Sequence, residues 1–147
     1  MKLEELYTAI EKDLTIDRFN LAEESTRGSS IFIKYSRLLT NERTSLASLR
    51  LRIEELIRQK TRYYQGKADP EEYKDDKDYF KYSSEKKTNS QVDQLVQTDP
   101  QVMKMREQII IREEKVSLLS EVMKEIHRRS FNIKNAIDYE KFQAGVV

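Results

Sequence analysis

Arg50, Arg52, Arg58, Lys60 and Arg62 crowd toward a Tyr63-Tyr64 pair, and Lys67 stands just beyond it. Cations neutralise phosphates and aromatic rings stack on unpaired bases, so this mixture is the vocabulary of single-stranded nucleic-acid binding. Lys60 is the odd member: it sits where an apolar residue would stabilise a helical seam better. The same residues have a plainer reading, in which cations complement a helix C-terminus, Lys60 snorkels or sets register, and the tyrosines pack. A second basic patch, Arg128, Arg129 and Lys134, carries the same two readings.

Other chemistries lack their residues. Gly28, Gly66 and Gly145 stand alone, so no glycine-rich phosphate loop or dinucleotide fingerprint is present. With no cysteine there is no thiol nucleophile, disulfide or cysteine-rich zinc site. His127, the only histidine, has no second imidazole for a shared metal and reads as a seam-edge residue. Acid pairs such as Glu23-Glu24, Glu54-Glu55 and Asp75-Asp76 point apart on a helix and read as solvated surface. The expectation is a non-enzyme without metal or cofactor.

The elements that position the cluster follow from spacing. Leu3, Leu6, Tyr7, Ile10 and Leu14 mark a short amphipathic helix, Ile16 and Asp17 a turn, and Leu21 to Thr26 a second short helix ending near Gly28. Ser29 or Ser30 would then cap a long helix. Its seam runs Phe32, Tyr35, Leu39, Glu42, Leu46, Leu49, Ile53, Leu56, Lys60 and Tyr63 in steps of three and four, roughly 50 Å of helix stopped by Gly66. Residues 66–99 read as a polar connector, with short helices around Glu71 to Tyr82 and Gln91 to Val96. Its acids Asp69, Glu71, Glu72, Asp75, Asp76 and Asp78 read as a mobile hydrated run. Thr98 or Asp99 before Pro100 starts a second long helix. That seam is Val102, Met105, Ile109, Arg112, Val116, Leu119, Met123, Ile126, Ser130, Ile133 and Ile137, and the helix reaches Phe142.

Composition agrees. Of 147 residues 36% are charged and 37% hydrophobic, with three glycines and two prolines, which favours a few long helices over a turn-rich sheet fold. The 27 basic and 26 acidic residues nearly cancel, so a polyanion partner is announced only by local clusters. No stretch approaches the length of a membrane span and the N-terminus does not read as a signal peptide, so a soluble intracellular protein is expected. The fold class is all-α, one domain comprising short helices over 3–26, a long helix over 30–65, the connector over 66–99 and a long helix over 100–142. The two long helices form an antiparallel hairpin. Met103, Ile110, Ile111, Leu118 and Phe131 lie on the far side of the second seam, and a lone hairpin would leave them in water. A homo-oligomer is therefore expected, the alternative being that the short helices and connector cover that face.

The segment Arg58-Gln-Lys-Thr-Arg-Tyr-Tyr-Gln-Gly66, the opening Met1-Lys-Leu-Glu-Glu-Leu6 with Lys12-Asp13 and Ile16-Asp17, and Phe131-Asn-Ile-Lys134 with Phe142-Gln-Ala-Gly145 together resemble the UvsY family. These are recombination mediators of T-even-type bacteriophages, and the chain is most similar to the cyanobacterial-phage members. The likeness is collinear from the first residue to Gly145. It implies a non-enzymatic, ring-like homo-oligomer of six or seven subunits in the cytoplasm of an infected bacterium. The ring would bind single-stranded DNA, the phage single-stranded DNA-binding protein and a UvsX-type recombinase, and help load the recombinase onto coated DNA. By the family's central motif, Arg58 and Lys60 carry DNA binding, joined here by Arg62, Tyr63, Tyr64, Arg52 and Lys67. The C-terminal segment implies oligomerisation through Phe131, Ile133, Ile137 and Phe142, with Ile126 before them. Gln59 and Thr61 replace small or apolar residues of better-known members and Arg62 replaces an acid, which makes the site more basic. The rival reading is a structural coiled-coil adaptor or chaperone that binds no nucleic acid.

Overall fold

The computed structural model describes residues 1–145. It holds five helices: α1 (Leu3–Leu14), α2 (Leu21–Tyr64), α3 (Lys77–Ser84), α4 (Asn89–Gln97) and α5 (Pro100–Gln143), with no strand among the described residues. No helix among them is long and apolar enough to cross a membrane. Where the sequence reading has one domain, the chain packs as two compact units. The first combines residues 1–43 with the chain from Glu113 on; the second is residues 44–112. Both α2 and α5 contribute to each.

In the first unit, Glu5 closes the start of α1 by accepting the Lys2 N–H at 2.9 Å. Asp17 then reverses the chain, accepting from the Phe19 N–H at 3.0 Å and the Asn20 amide at 2.8 Å. The break expected at Gly28 is corrected: α2 runs unbroken from Leu21. A glycine ends a helix where it takes a positive φ, and Gly28 does not. Inside a helix it costs about 1 kcal/mol, which the tertiary contacts of α2 outweigh.

The core of this unit is Leu6 from α1, Ile31, Tyr35 and Leu39 from α2, and Leu119, Val122 and Ile126 from α5. The buried stripe departs from the expected seams. Ile31 is buried while Phe32 stands 50% exposed, and on α5 Val122 and Arg129 are buried where Met123 and Ser130 were expected. On α5 Leu119, Ile126 and Ile133 keep the expected seam and the other buried row lies one residue earlier, still in steps of three and four, with Leu6 of α1 packed into the same core.

This one-residue shift changes the meaning of Arg129. A member of the basic patch that the sequence leaves open between two readings, it is 4% exposed. Its Nη1 donates to the Glu24 carbonyl at 2.8 Å and its Nη2 to the Glu24 carboxylate. Arg27 holds the other carboxylate oxygen at 2.6 Å. The remaining members of that patch, Arg128 and Lys134, are exposed, and Arg128 pairs with Glu125 at 2.6 Å.

The second unit is built on tyrosines. Tyr63, Tyr64, Tyr79, Val92, Val96 and Val102 form its core. The Tyr63 ring lies 5.0 Å from Tyr64, 5.0 Å from Tyr73 and 5.4 Å from Tyr79, in edge or tilted geometries that aromatic quadrupoles favour. Residues 66–99 are thus no loose tether, because Tyr79, Val92 and Val96 anchor them in this core. Asp76 caps α3, Thr88 caps α4 and Asp99 caps α5.

One motif recurs in both units: a buried tyrosine hydroxyl donating to an aspartate. Tyr35 donates to Asp13 at 2.8 Å, Tyr63 to Asp76 at 2.7 Å and Tyr64 to Asp99 at 2.7 Å. Burial, then the partner carboxylate, pushes each tyrosine well above its ordinary value. For Asp13 and Asp99 burial acts to raise the carboxyl, but the tyrosine bond and a lysine, Lys34 or Lys60, outweigh it and hold the carboxyl low. Asp76 is lowered chiefly by its Tyr63 bond.

Two outcomes are expected. Arg129→Ala leaves the buried Glu24 carboxylate with Arg27 as its one cation and should cost about 3 kcal/mol in chemical denaturation, while Glu24→Leu with Arg129→Met should recover most of it. For pH, the lowered aspartates contribute stability that is full above their unfolded value of about 3.9 and is lost as pH falls through the folded values. The raised tyrosines contribute stability that is full below about 10 and is lost as pH rises above it. Melting temperature against pH should show a plateau between these limits, with Tyr35→Phe softening the alkaline edge.

Candidate nucleic-acid interface

The segment from Arg58 to Tyr64 is helical throughout. Successive residues turn by about 100°, so alternate residues point to nearly opposite sides, whereas residues four apart share one. Arg58 and Arg62 therefore share a face, and Lys60 faces away from it.

Arg58, Arg62 and Arg52 are exposed, and so is Lys67 beyond the helix end. Arg58 has a local partner, Glu55 at 2.9 Å, with both side chains more than half exposed, a pair that costs little to break. Arg52, Arg62 and Lys67 have no side-chain partner among the described residues.

Lys60 takes a different part from the one expected. Its side chain is 19% exposed, and its Nζ lies 3.3 Å from Asp99 Oδ2 and 5.5 Å from the Tyr63 ring centroid. The same Asp99 oxygen accepts the Tyr64 hydroxyl, while Oδ1 accepts the Gln101 and Val102 N–H groups at the start of α5. A cation at a seam position was the one legible sign that a carboxylate would be waiting for it; Asp99 itself was read only as a possible helix start.

Tyr63 and Tyr64 are corrected as base-stacking residues. They are 7% and 8% exposed, with their rings in the tyrosine core and their hydroxyls on aspartates. Burying about 150–250 Å² per aromatic ring favours packing over leaving the rings in water. Their part is to fix the end of α2. Gly66 completes it with φ +71°, where its N–H donates to the Tyr63 carbonyl at 3.1 Å. A Cβ there would sit 2.5 Å from Ser83 Cα, so the backbone approach admits glycine alone.

The residues expected to join subunits also divide. Ile126 and Ile133 are corrected: both are buried in the first unit, because the inward stripe of α5 runs through them. Ile137 is partly buried. Phe131 and Phe142 remain on the surface, 62% and 80% exposed, on one side of α5 and about three turns apart. In the second unit Met103, Ile110 and Ile111 are each about half exposed, so neither connector nor short helices cover them. His127 is exposed, and no cluster suited to a metal occurs among the described residues.

The family model described as "Recombination, repair and ssDNA binding protein UvsY" matches residues 9–146. No curated protein matches the chain. Among solved structures it is similar to crystal structures of the bacteriophage T4 recombination mediator protein UvsY. Lattice type II gives a TM-score of 0.79 at 21% identity, covering 98% of each chain. Lattice type IV gives 0.79 at 18%, covering 97% of this chain and 99% of the other. At these identities the likeness shows the fold. The matched model spans nearly the whole sequence, from the second half of α1 through α5, and the chain belongs to the UvsY family.

Proposed function

We propose that this protein is a phage recombination mediator that binds single-stranded DNA through the exposed cations Arg52, Arg58, Arg62 and Lys67. The observation that carries this reading is the family match over residues 9–146. The exposed faces agree with it: Arg58 and Arg62 project from one side of a helix whose other side is locked in a core.

The working form is a ring-like homo-oligomer of six or seven copies, joined in part by the Phe131 and Phe142 side of α5. Each copy offers a few weak phosphate contacts, and the ring turns them into an avid grip on one wrapped strand. Such a ring loads a UvsX-type recombinase onto DNA coated by the phage single-stranded DNA-binding protein. It does so by binding bare or recombinase-bearing strand better than coated strand, since a ligand shifts an equilibrium only by its differential affinity. The work takes place in the cytoplasm of the infected host.

Fluorescence anisotropy with a labelled oligonucleotide across a salt series tests the reading. Each phosphate contact contributes roughly 0.7 to the log-log salt slope, so Arg58→Ala with Arg62→Ala should lower it by about 1.4 or more. Lys60→Met should leave the slope unchanged and lower the melting temperature, with Asp99→Asn as partner restoring it because asparagine still caps α5. No salt-dependent binding by the unaltered protein would leave the adaptor reading.

For the assembly, Phe131→Asp with Phe142→Asp should yield smaller species in sedimentation at full helicity, with weaker DNA binding. Persistence of the full assembly would remove this face from the interface.

A further inference from the structure

Lysines that the Tyr-Tyr motif does not include gather at the same corner of the second unit. Lys81 and Lys86 are exposed and have no side-chain partner among the described residues. With Tyr82, Lys87, Gln94 and Thr98 they line a groove between the end of α3 and α4. Lys87 is already committed. Its Nζ donates to the Tyr64 carbonyl at 3.4 Å and the Tyr82 carbonyl at 3.2 Å, and lies 4.6 Å from the Tyr82 ring centroid. It thereby fastens the groove to the C-terminal end of α2, where the carbonyl ends attract a cation.

The backbone of Gly66 approaches that of Ser83, and with Lys87 on the Tyr64 carbonyl this sets the groove beside the end of α2 that carries Arg62 and Lys67. Glu85 is the one acid on the groove, and Lys87 answers it at 3.9 Å. The acids Glu71, Glu72, Asp75 and Asp78 collect before and at the start of α3; its eight residues, about 12 Å, separate that start from Lys86, while Lys81 stands one turn from Asp78. A polyanion meeting the unit is drawn to one end of α3 and repelled from the other.

We propose that the Lys81 and Lys86 groove is a second phosphate track for single-stranded DNA, continuing the path from Arg62 and Lys67. The strand leaves the end of α2, passes the contact between Gly66 and Ser83, and lies between α3 and α4 with its backbone on the two lysines. The Gln94 amide is exposed there, able to meet a base edge. This rests on the DNA-binding reading above and extends it to residues outside the family motif.

The test is a salt series with a labelled oligothymidylate on the full protein, comparing wild type, Lys81→Ala with Lys86→Ala, Lys81→Arg with Lys86→Arg, and Arg58→Ala with Arg62→Ala. The lysine pair should lower the log-log slope by about 1.4 or more, and the arginine replacement should keep it at the wild-type value. Both lysines being exposed and unpaired, the melting temperature should not move. An unchanged slope in the Lys81→Ala/Lys86→Ala protein, while Arg58→Ala/Arg62→Ala lowers it, overturns the groove and leaves the DNA-binding reading standing. A wild type that ignores the oligonucleotide overturns both. An oligoglutamate peptide whose binding is lost in the alanine pair, with the DNA slope intact, assigns the groove to an acidic peptide and likewise overturns the proposal.

Discussion

A carboxylate withdrawn from water must be met by donors, and Asp99 is met by four: the Tyr64 hydroxyl, the Lys60 ammonium and two N–H groups of α5. An unpaired charge in that position would cost several kcal/mol, so the four groups are obliged to converge. Their convergence ties the last turn of α2 to the first turn of α5. The connector closes on the same point, because Tyr63 reaches Asp76 at the head of α3 and Tyr79 donates to the Ala68 carbonyl. The surface cations of the second unit stand on this joint. Arg58 and Arg62 point outward because Lys60, two residues from each, points inward.

The buried Glu24 and Arg129 are the counterpart in the first unit, and the comparison separates two uses of charge. Where a guanidinium is enclosed with a carboxylate, as at Arg129, it fixes the pairing of helices and is lost to any ligand. Where it stands free beside a weak local partner, as at Arg58, it is available to a phosphate. Nothing in the sequence near either arginine separates them, since both lie in basic runs on long helices. The register of the helix separates them, and that register is a property of the packed chain.

Register likewise divides what local sequence determines from what it does not. The all-α class, the short helix from Leu3, the turn at Asp17, the stop at Gly66 and the start at Pro100 all come from local rules of periodicity and capping, and the structure places each where those rules do. The break at Gly28 was not real, because a glycine disfavours helix by only about 1 kcal/mol and tertiary packing decides. Lys60 announced itself as a charge on a seam, yet its partner lies far along the chain and no spacing rule reaches it. Tyr63 and Tyr64 were ambiguous between stacking and packing for a similar reason, because exposure depends on Tyr73, Tyr79 and Tyr82 folding back over them. Ile126 and Ile133 lie on the seam that periodicity already drew, and it is the family resemblance that assigns them to a subunit interface; the core of the first unit takes them instead.

The close passage of Gly66 against Ser83 has a bearing on how a ligand would be received. With tyrosine rings wedged beneath it and no room for a Cβ, that corner has little freedom to surrender. The cations on it are mounted on stiff ground, so docking a strand would forfeit the rotamers of their own stems and hardly any of the main chain beneath. In a complex of the proposed kind, adaptability would fall to the nucleic acid, whose backbone is the softer of the two and would take the contour the protein presents.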